Sequence, residues 1–436
     1  MYCIINLSYS RGKFMGKLQK LIDNKAQSAK FMCDEIAHIC NDMPKRDPGS
    51  EGEKMACEYM ADYLKNDCGC ERSDVESFTE HPNAFFGWIY FTITFVLAGM
   101  ALFFFLPILG AVLTGLGFAI LFIQFGLYKK LVDKCFPKKT GHSVTAIKKC
   151  TGEVKGRVFF NGHPDAVWNW PVNNKFGGTA HVAHLVTSVV SGLVVLGLNI
   201  AAAVATKCQP VVDYTVAGYV ALYGPVLFWM GIAILIMVPC LVGMYFMWDE
   251  NTITDGANDN LTGCYMGIAI LKAMKDQGIE LEHTEVGVII SGSEEAGLRG
   301  AMAWCEAHKG EFDDVPTWIY SYDTIHESRF LGVNYRDLNG TVKSDKEVSD
   351  SFITAANELG IKCNKTWVPP FGGATDNAAF NKAGFRSTGI TALDHNLQDY
   401  YHTMRDTADN LNPECLADCY AISVKCLENF DRDIAK

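Results

Sequence analysis

A doubly wound α/β domain, with a mostly parallel central sheet and helices on both faces, is expected from two features of the 436-residue sequence. Short apolar runs that read as buried strands alternate with helical patterns, the arrangement that produces parallel sheets. Several of these runs end on a His, Asp or Glu, at the carboxyl edge where α/β sheets bind ligands. A third feature adds four transmembrane helices in two hairpins, because two long apolar stretches interrupt the soluble sequence.

The elements follow in order. Residues 1–14 lack the apolar core and cleavage site of a signal peptide. Lys17 to Cys40 reads as an amphipathic helix with Leu18, Ile22, Phe31, Ile36 and Ile39 as core contacts. Arg46 to Ser50 is a turn, Glu51 to Lys65 a second helix, and Val75 to Phe78 a strand, so residues 1–84 form the first piece of the soluble domain.

Residues 85–128 contain no charged side chain and are broken near the middle by Pro107 and Gly110. A span needs about 20 apolar residues, so this stretch holds two helices and a tight turn. Residues 129–184 return to the soluble domain. Residues 185–248 form a second hairpin, Leu185 to Thr206 and Val216 to Trp248, whose return helix is expected to kink at Pro225 and Pro239. Trp88, Tyr90, Tyr128, Trp229 and Trp248 are interface anchors in this reading. Two hairpins bring the chain back to the side it left, so all pieces of the soluble domain share that side. Lys129, Lys130, Lys134, Lys138, Lys139, Lys148 and Lys149 crowd after the first hairpin, which places that side in the cytoplasm. The 16 scattered cysteines read as reduced thiols, in keeping with that compartment. A net charge of -11, with no Gly-rich phosphate loop, basic arm or repeat, argues against a nucleic-acid partner.

The last piece, residues 249–436, opens on Asp255 to Gly263, a turn followed by a helix start. Asn258, Asp259 and Asn260 can all cap the helix expected over 260–277, and for Asp259 alone a cap is the plainer reading. Its company argues otherwise. The strand Lys155 to Gly162 delivers His163-Pro164-Asp165, the strand Val286 to Ser291 delivers Glu294-Glu295, and the strand Thr317 to Tyr322 ends at Asp323. Tyr401-His402 lies beyond a last strand near Ser387 to Thr391. Imidazoles and carboxylates converging from strand ends suit zinc. Helices are expected at 299–308, 347–359 and from Pro413 onward. Asp376, in a Gly-rich loop, can hold a substrate ammonium or cap a helix, and His181 and His184 read as packing or interfacial histidines.

The blocks His-Pro-Asp, Gly-Ala-Asn-Asp-Asn, Ser-Gly-Ser-Glu-Glu-Ala-Gly-Leu-Arg-Gly, Tyr-Asp-Thr and Tyr-His-Thr-x-x-Asp-Thr, in that order, resemble the two-zinc exopeptidases of clan MH, of aminopeptidase Y and aminopeptidase S type. Gly49-Ser50 with Glu53, and Gly372 to Asn377, resemble further family blocks. The resemblance implies two zinc ions bridged by Asp259, one completed by His163 and Asp323, the other by Glu295 and His402. It implies Glu294 as the general base acting on the water that the metals activate, and Asp165 as the acceptor of the second N–H of His163. At the position where some members carry an oxyanion-binding tyrosine this chain has Thr391, which leaves Tyr400 or Tyr401 for that role. The expected function is a membrane-embedded aminopeptidase acting on peptides and in contact with membrane lipid. A carboxypeptidase or amidohydrolase on the same metals and a catalytically silent membrane scaffold are the alternatives, and the sequence assigns no oligomeric partner. Because the second hairpin is inserted between His163 and Asp259, the active-site mouth is expected near the cytoplasmic membrane face, roofed by residues 166–184.

Overall fold

The computed structural model describes residues 18–394 and 400–435. The chain divides into two compact units, one made of residues up to Pro82, Lys138–Trp168 and Ile253 onward, the other of Asn83–Pro137 and Asn169–Thr252.

The first unit is built on an eight-stranded sheet: β1 (Arg72–Glu80), β2 (Lys139–Lys148), β3 (Gly156–Gly162), β4 (Thr284–Ser291), β5 (Thr317–Ile325), β6 (Gly332–Asn334), β7 (Asn364–Thr366) and β8 (Arg386–Ala392). Their spatial order is β1-β2-β4-β3-β5-β8-β6-β7. The centre, β4-β3-β5-β8, is parallel. β1 and β2 are antiparallel additions at one edge, and β6 runs antiparallel to β8 near the other. β3 is buried along its whole length, which is why Val158, Phe159 and Phe160 form an unbroken apolar run. Successive side chains alternate faces. Phe159 meets Trp304, ring centroids 6.2 Å apart, while Phe160 meets Tyr320 at 6.1 Å on the opposite face.

Helices cover both faces, as expected. α1 (Lys25–Asp42) follows a helical stretch that begins at Leu18 and breaks at Asn24. Leu18, Ile22, Ile36 and Ile39 are all buried. α2 (Glu51–Asn66) starts at Ser50, whose hydroxyl accepts the Glu53 N–H at 3.1 Å. The Glu53 carboxylate reaches back to the N–H of Gly49 at 3.1 Å, so two orphan donors at the helix mouth are satisfied.

The second unit is helical. α3 (Ala84–Leu102) and α4 (Pro107–Leu121, running on to Gly126) form the first hairpin, followed by α5 (Gly178–Ala205), α6 (Val216–Tyr223) and α7 (Pro225–Ala233). Four helical segments are long and apolar enough to cross a membrane: Ala84–Leu102, Pro107–Gly126, Gly178–Ala205 and Pro225–Phe246. The expected return helix from Val216 is therefore two pieces. Gly224 takes φ +76°, which only glycine adopts without strain, and Pro225 starts a new helix with no N–H to lose. A 3-10 turn at Ile234–Met237 adds a second irregularity ahead of Pro239. α3, α4 and α5 pack closely because glycines line the contact. A Cβ on Gly99 would lie 2.2 Å from Thr114 Oγ1, and one on Gly110 would lie 2.1 Å from Asn199 Oδ1. Asn199 donates to the Gly99 carbonyl at 2.9 Å and so ties α5 to α3. His181 stacks on Trp170 at 4.5 Å and His184 Nε2 lies 2.8 Å from the Cys240 carbonyl, which are packing roles. The fifteen described cysteines are free thiols.

Candidate active site

The parallel strands bring the predicted side chains to one edge of the sheet. His163 follows the last residue of β3, which pairs with Ile290 of β4, and Asp323 sits on β5 opposite Thr391 of β8. α8 (Thr262–Asp276) approaches β3 so closely that a Cβ on Gly162 would lie 2.3 Å from the Cys264 nitrogen. That contact brings Asp259 to His163.

α8 begins two residues later than the sequence predicted. Asp259 and Asn260 are non-helical, with ψ 89° and 45°, and Asn260 does the capping. Its Oδ1 accepts the Gly263 N–H at 3.0 Å and the Thr324 N–H at 3.3 Å, while its Nδ2 donates to the Tyr322 carbonyl at 2.8 Å. Freed from the cap, the Asp259 carboxylate faces two imidazoles. Oδ1 lies 3.4 Å from His163 Nε2 and Oδ2 lies 3.1 Å from His402 Nε2. Glu295 Oε1 is 3.3 Å from the same His402 nitrogen, and Glu294 Oε2 is 3.8 Å from His163 Nε2. His163, Asp259 and Asp323 form one close group of possible donor atoms, and Asp259, Glu295 and His402 form the other. All five side chains are buried.

The donor set fits zinc. His163 Nε2, Asp259 Oδ2 and Glu295 Oε1 are buried and make no hydrogen bond of acceptable geometry, although opposing atoms lie within 3.4 Å. Buried polar atoms that converge without bonding one another are what a shared cation would satisfy. Electrostatics point the same way. Burial lowers the proton affinity of His402, but Glu295 and Asp259 outweigh it and hold the imidazole up at about 10. Burial pushes Asp323 well above the usual carboxylate range, and neighbouring Asp259 adds to the push. Asp165, Asp259, Glu294, Glu295, Asp323, Asp376 and Asp406 are all buried here, against two imidazoles. That surplus of anion calls for cations.

Asp165 differs from expectation. His163 Nδ1 lies 3.2 Å from the Asp165 carbonyl oxygen and 3.4 Å from its carboxylate. The carboxylate instead accepts the N–H groups of Glu294 and Glu295, at 3.1 and 3.0 Å. Asp165 thus fixes the Glu pair as well as facing the histidine. Asp376 neither caps a helix with its side chain nor faces solvent. It is buried, and its carboxylate accepts from the Ser291 hydroxyl, which in turn takes the Asn161 amide at 2.7 Å. Tyr400 packs its ring on His326 at 4.5 Å. Tyr401 stacks on His402 at 3.9 Å, and burial together with Asp259, Glu295, Asp323 and Glu294 pushes its phenol well up. Asp259 acts on both tyrosines, whereas Glu295, Asp323 and Glu294 act on Tyr401. Thr391 is a buried strand residue.

Three supports were not assigned roles from the sequence. Asp406 accepts the N–H and side-chain amide of Asn258 at 2.8 and 2.9 Å and the Asp259 N–H at 3.1 Å, so it holds the segment that presents Asp259. Arg46, fully buried, donates to the carbonyls of Pro164 at 2.7 Å and Gly256 at 3.2 Å, joining the His163 and Asp259 turns. The Ser293 hydroxyl lies 2.6 Å from Glu53 Oε1 and 2.6 Å from Glu80 Oε1. Asp406, Ser293 and Glu53 all lie within the blocks that carry the resemblance, whereas Arg46 lay only in an expected turn.

The Ser293 contact makes a pH prediction. One hydroxyl hydrogen reaches one carboxylate, so the other must itself carry a proton. Burial pushes Glu53 well above its ordinary 4.5 and Glu80 up to about 7. A carboxyl with a raised pKa binds its proton more tightly folded than unfolded, so stability is full below about 4.5 and falls as pH rises through about 7. Glu80→Gln, which is neutral throughout, should remove roughly 3 kcal/mol of that loss. Thermal unfolding of both proteins across this range checks it, and parallel curves would exclude Glu80 as the titrating group.

Comparison with known proteins bears on the same elements. Residues 247–427 match the model of Peptidase family M28. The matched segment holds Asp259, Glu294, Glu295, Asp323 and His402, while His163 and Asp165 precede it. No curated protein matches the sequence significantly. Among solved structures, the fold is similar to that of a zinc aminopeptidase from Bacillus subtilis, with a TM-score of 0.52 and 13% identity over 92% of this chain and 95% of that one. An aminopeptidase from Aneurinibacillus sp. strain AM-1 gives 0.52 and 12% over 95% of each chain. A glutaminyl cyclase from an Acidobacteriales bacterium gives 0.51 and 14% over 94% of this chain and 95% of its own.

Proposed function

We propose that this chain is a membrane-embedded, zinc-dependent exopeptidase of aminopeptidase type. The observation that carries it is the Asp259 carboxylate, which offers one oxygen to each of two imidazole Nε2 atoms, at 3.4 and 3.1 Å. His163 and Asp323 would complete one zinc site with Asp259, and Glu295 and His402 the other. When bound, two zinc ions supply Lewis-acid polarisation of the scissile carbonyl and a water of lowered pKa. The match of residues 247–427 to Peptidase family M28 supports a peptide substrate.

Glu294 is the proton carrier in this reading. Its backbone is pinned by Asp165, and its carboxylate stands beside His163 rather than in either group of candidate ligands. Burial raises its pKa well above 4.5, and Asp323 and Glu295 raise it further while His163 opposes them. A carboxyl poised in this way can take a proton from the attacking water and deliver it to the leaving amine near neutral pH. In this reading Tyr401, whose ring stacks on His402, would donate its phenolic hydrogen to the developing oxyanion.

Substrate polarity follows from charge. Arg46 is taken up by backbone carbonyls and offers no guanidinium to a substrate carboxylate. The surplus of buried carboxyls favours a substrate that brings a cation, its own N-terminal ammonium. The test is cleavage by the zinc-loaded, full-length protein of peptides with free or blocked ends. An aminopeptidase cleaves only those with a free N-terminus. A requirement for a free C-terminus would make it a carboxypeptidase, and cleavage of neither with zinc bound would leave a silent scaffold. The four apolar helical segments support membrane insertion, and the lysines after the first hairpin support a cytoplasmic catalytic domain.

A further inference from the structure

The loop that leaves the first hairpin is held in place by one buried side chain. Gln124, fully buried near the end of α4, accepts the N–H groups of Leu131 and Val132 at 2.8 and 3.2 Å. Its amide donates to Asp133 Oδ1 at 2.9 Å and to the Ala84 carbonyl at 3.1 Å. Ala84 is the first residue of α3, so this glutamine ties the loop to the open end of the hairpin, opposite the turn that joins its helices. Aromatic rings gather at that end. Tyr128 packs on Phe85 at 4.8 Å, Trp88 on Phe125 at 5.8 Å, and Phe136 on Phe91 at 6.3 Å. Rings in this position mark the level of the lipid headgroups.

The charges on the loop are one-sided. Lys129, Lys130 and Lys134 are exposed, as is Leu131, while Asp133, the one acid of the loop, is buried against Gln124. The acids where the chain leaves this unit are hydrogen-bonded to neutral groups. Asp249 accepts from Asn251 and Thr252, and Glu250 accepts from Asn83. A chain of net charge -11 presents three exposed lysines beside this group of aromatics.

We propose that the loop Lys129–Lys134 is a binding site for anionic phospholipid headgroups. The proposal rests on the membrane reading above. The glutamine anchor fixes the depth of the lysines, exposed Leu131 sits among the acyl chains, and each ammonium pairs with a lipid phosphate or carboxylate. Each lysine near a membrane surface strengthens binding by about fivefold, so the three together give about a hundredfold preference over zwitterionic lipid. That preference falls with added salt.

The experiment uses full-length protein reconstituted into vesicles of phosphatidylcholine alone or mixed with phosphatidylserine. Lipid retained after detergent extraction is read by native mass spectrometry. Wild type should retain phosphatidylserine selectively. The triple variant Lys129→Gln, Lys130→Gln, Lys134→Gln should lose about a hundredfold of that selectivity with peptide hydrolysis unchanged. The corresponding triple arginine variant should keep the selectivity, which separates charge from folding. Incorporation into both vesicles with equal retention of the two lipids would overturn the proposal alone. Protein that enters neither vesicle overturns the membrane reading and the proposal with it. Displacement of phosphatidylserine by inorganic phosphate would make this a soluble-anion site and equally overturn it.

Discussion

Glu294→Gln should reduce turnover by about 10²–10⁴-fold, the range general-base catalysis contributes, with both zinc ions still bound. The substitution changes one thing. Glutamine keeps the length of the side chain and the backbone N–H that Asp165 accepts at 3.1 Å, so the Ser293–Glu295 turn keeps its frame. What it lacks is a carboxylate able to hold a proton between water and amine. Stability should not fall, because burial and the neighbouring Asp323 and Glu295 already disfavour charge on Glu294. Removing a carboxylate that its surroundings oppose relieves repulsion. The measurements are kcat at saturating peptide and zinc per chain. Undiminished turnover would remove Glu294 from the chemistry, and loss of zinc would make it a metal ligand instead.

The strand ends were the part of this site most open to reading in advance. His163, Glu294, Glu295 and Asp323 each stand at or just past the carboxyl end of an apolar strand, and continuous burial together with parallel order brings those ends to one edge. The spans were legible for a similar reason, since length and missing charge are one-dimensional properties. The supports were not. Asp406 reaches Asn258 across 148 residues of sequence and Ser293 reaches Glu53 across 240, and no spacing rule connects such pairs. Asp165 shows the limit most clearly. Its position two residues after His163 predicts a partner for the imidazole, which its carboxylate faces at 3.4 Å, but nothing local predicts that both oxygens also accept amides 129 and 130 residues away. The start of α8 slipped for a local reason. Asn258, Asp259 and Asn260 are all good caps, and only the tertiary contact of Asn260 with Tyr322 and Thr324 decides which of them serves.

Asp259→Asn should empty both zinc sites together, whereas Asp323→Asn should empty only one. The contrast follows from geometry. Asp259 is common to the two groups of candidate ligands, while Asp323 and Glu295 each belong to one. Losing the shared carboxylate leaves His163 with Asp323 and Glu295 with His402, two protein ligands apiece where catalytic zinc takes three. Affinity at each site should fall by more than the roughly 10–100-fold that loss of an outer hydrogen-bond partner costs, and activity should fall with it. The metal-free variant gives the second reading. His163 and His402 hold the Asp259 carboxyl far below its ordinary range, yet burial opposes its charge, and Asp323 and Glu295 are crowded by it. The net shift is downward, so at neutral pH the two imidazoles stabilise the ionised carboxylate within the fold, and the uncharged amide should make the metal-free variant unfold somewhat more easily than metal-free wild type. A residue conserving structure alone would also destabilise the empty protein but would leave zinc affinity intact. Zinc content and thermal unfolding with and without chelator distinguish the two. Retention of one tightly bound ion by Asp259→Asn would mean that this carboxylate ends a single site rather than joining two, and the two-metal reading would not survive it.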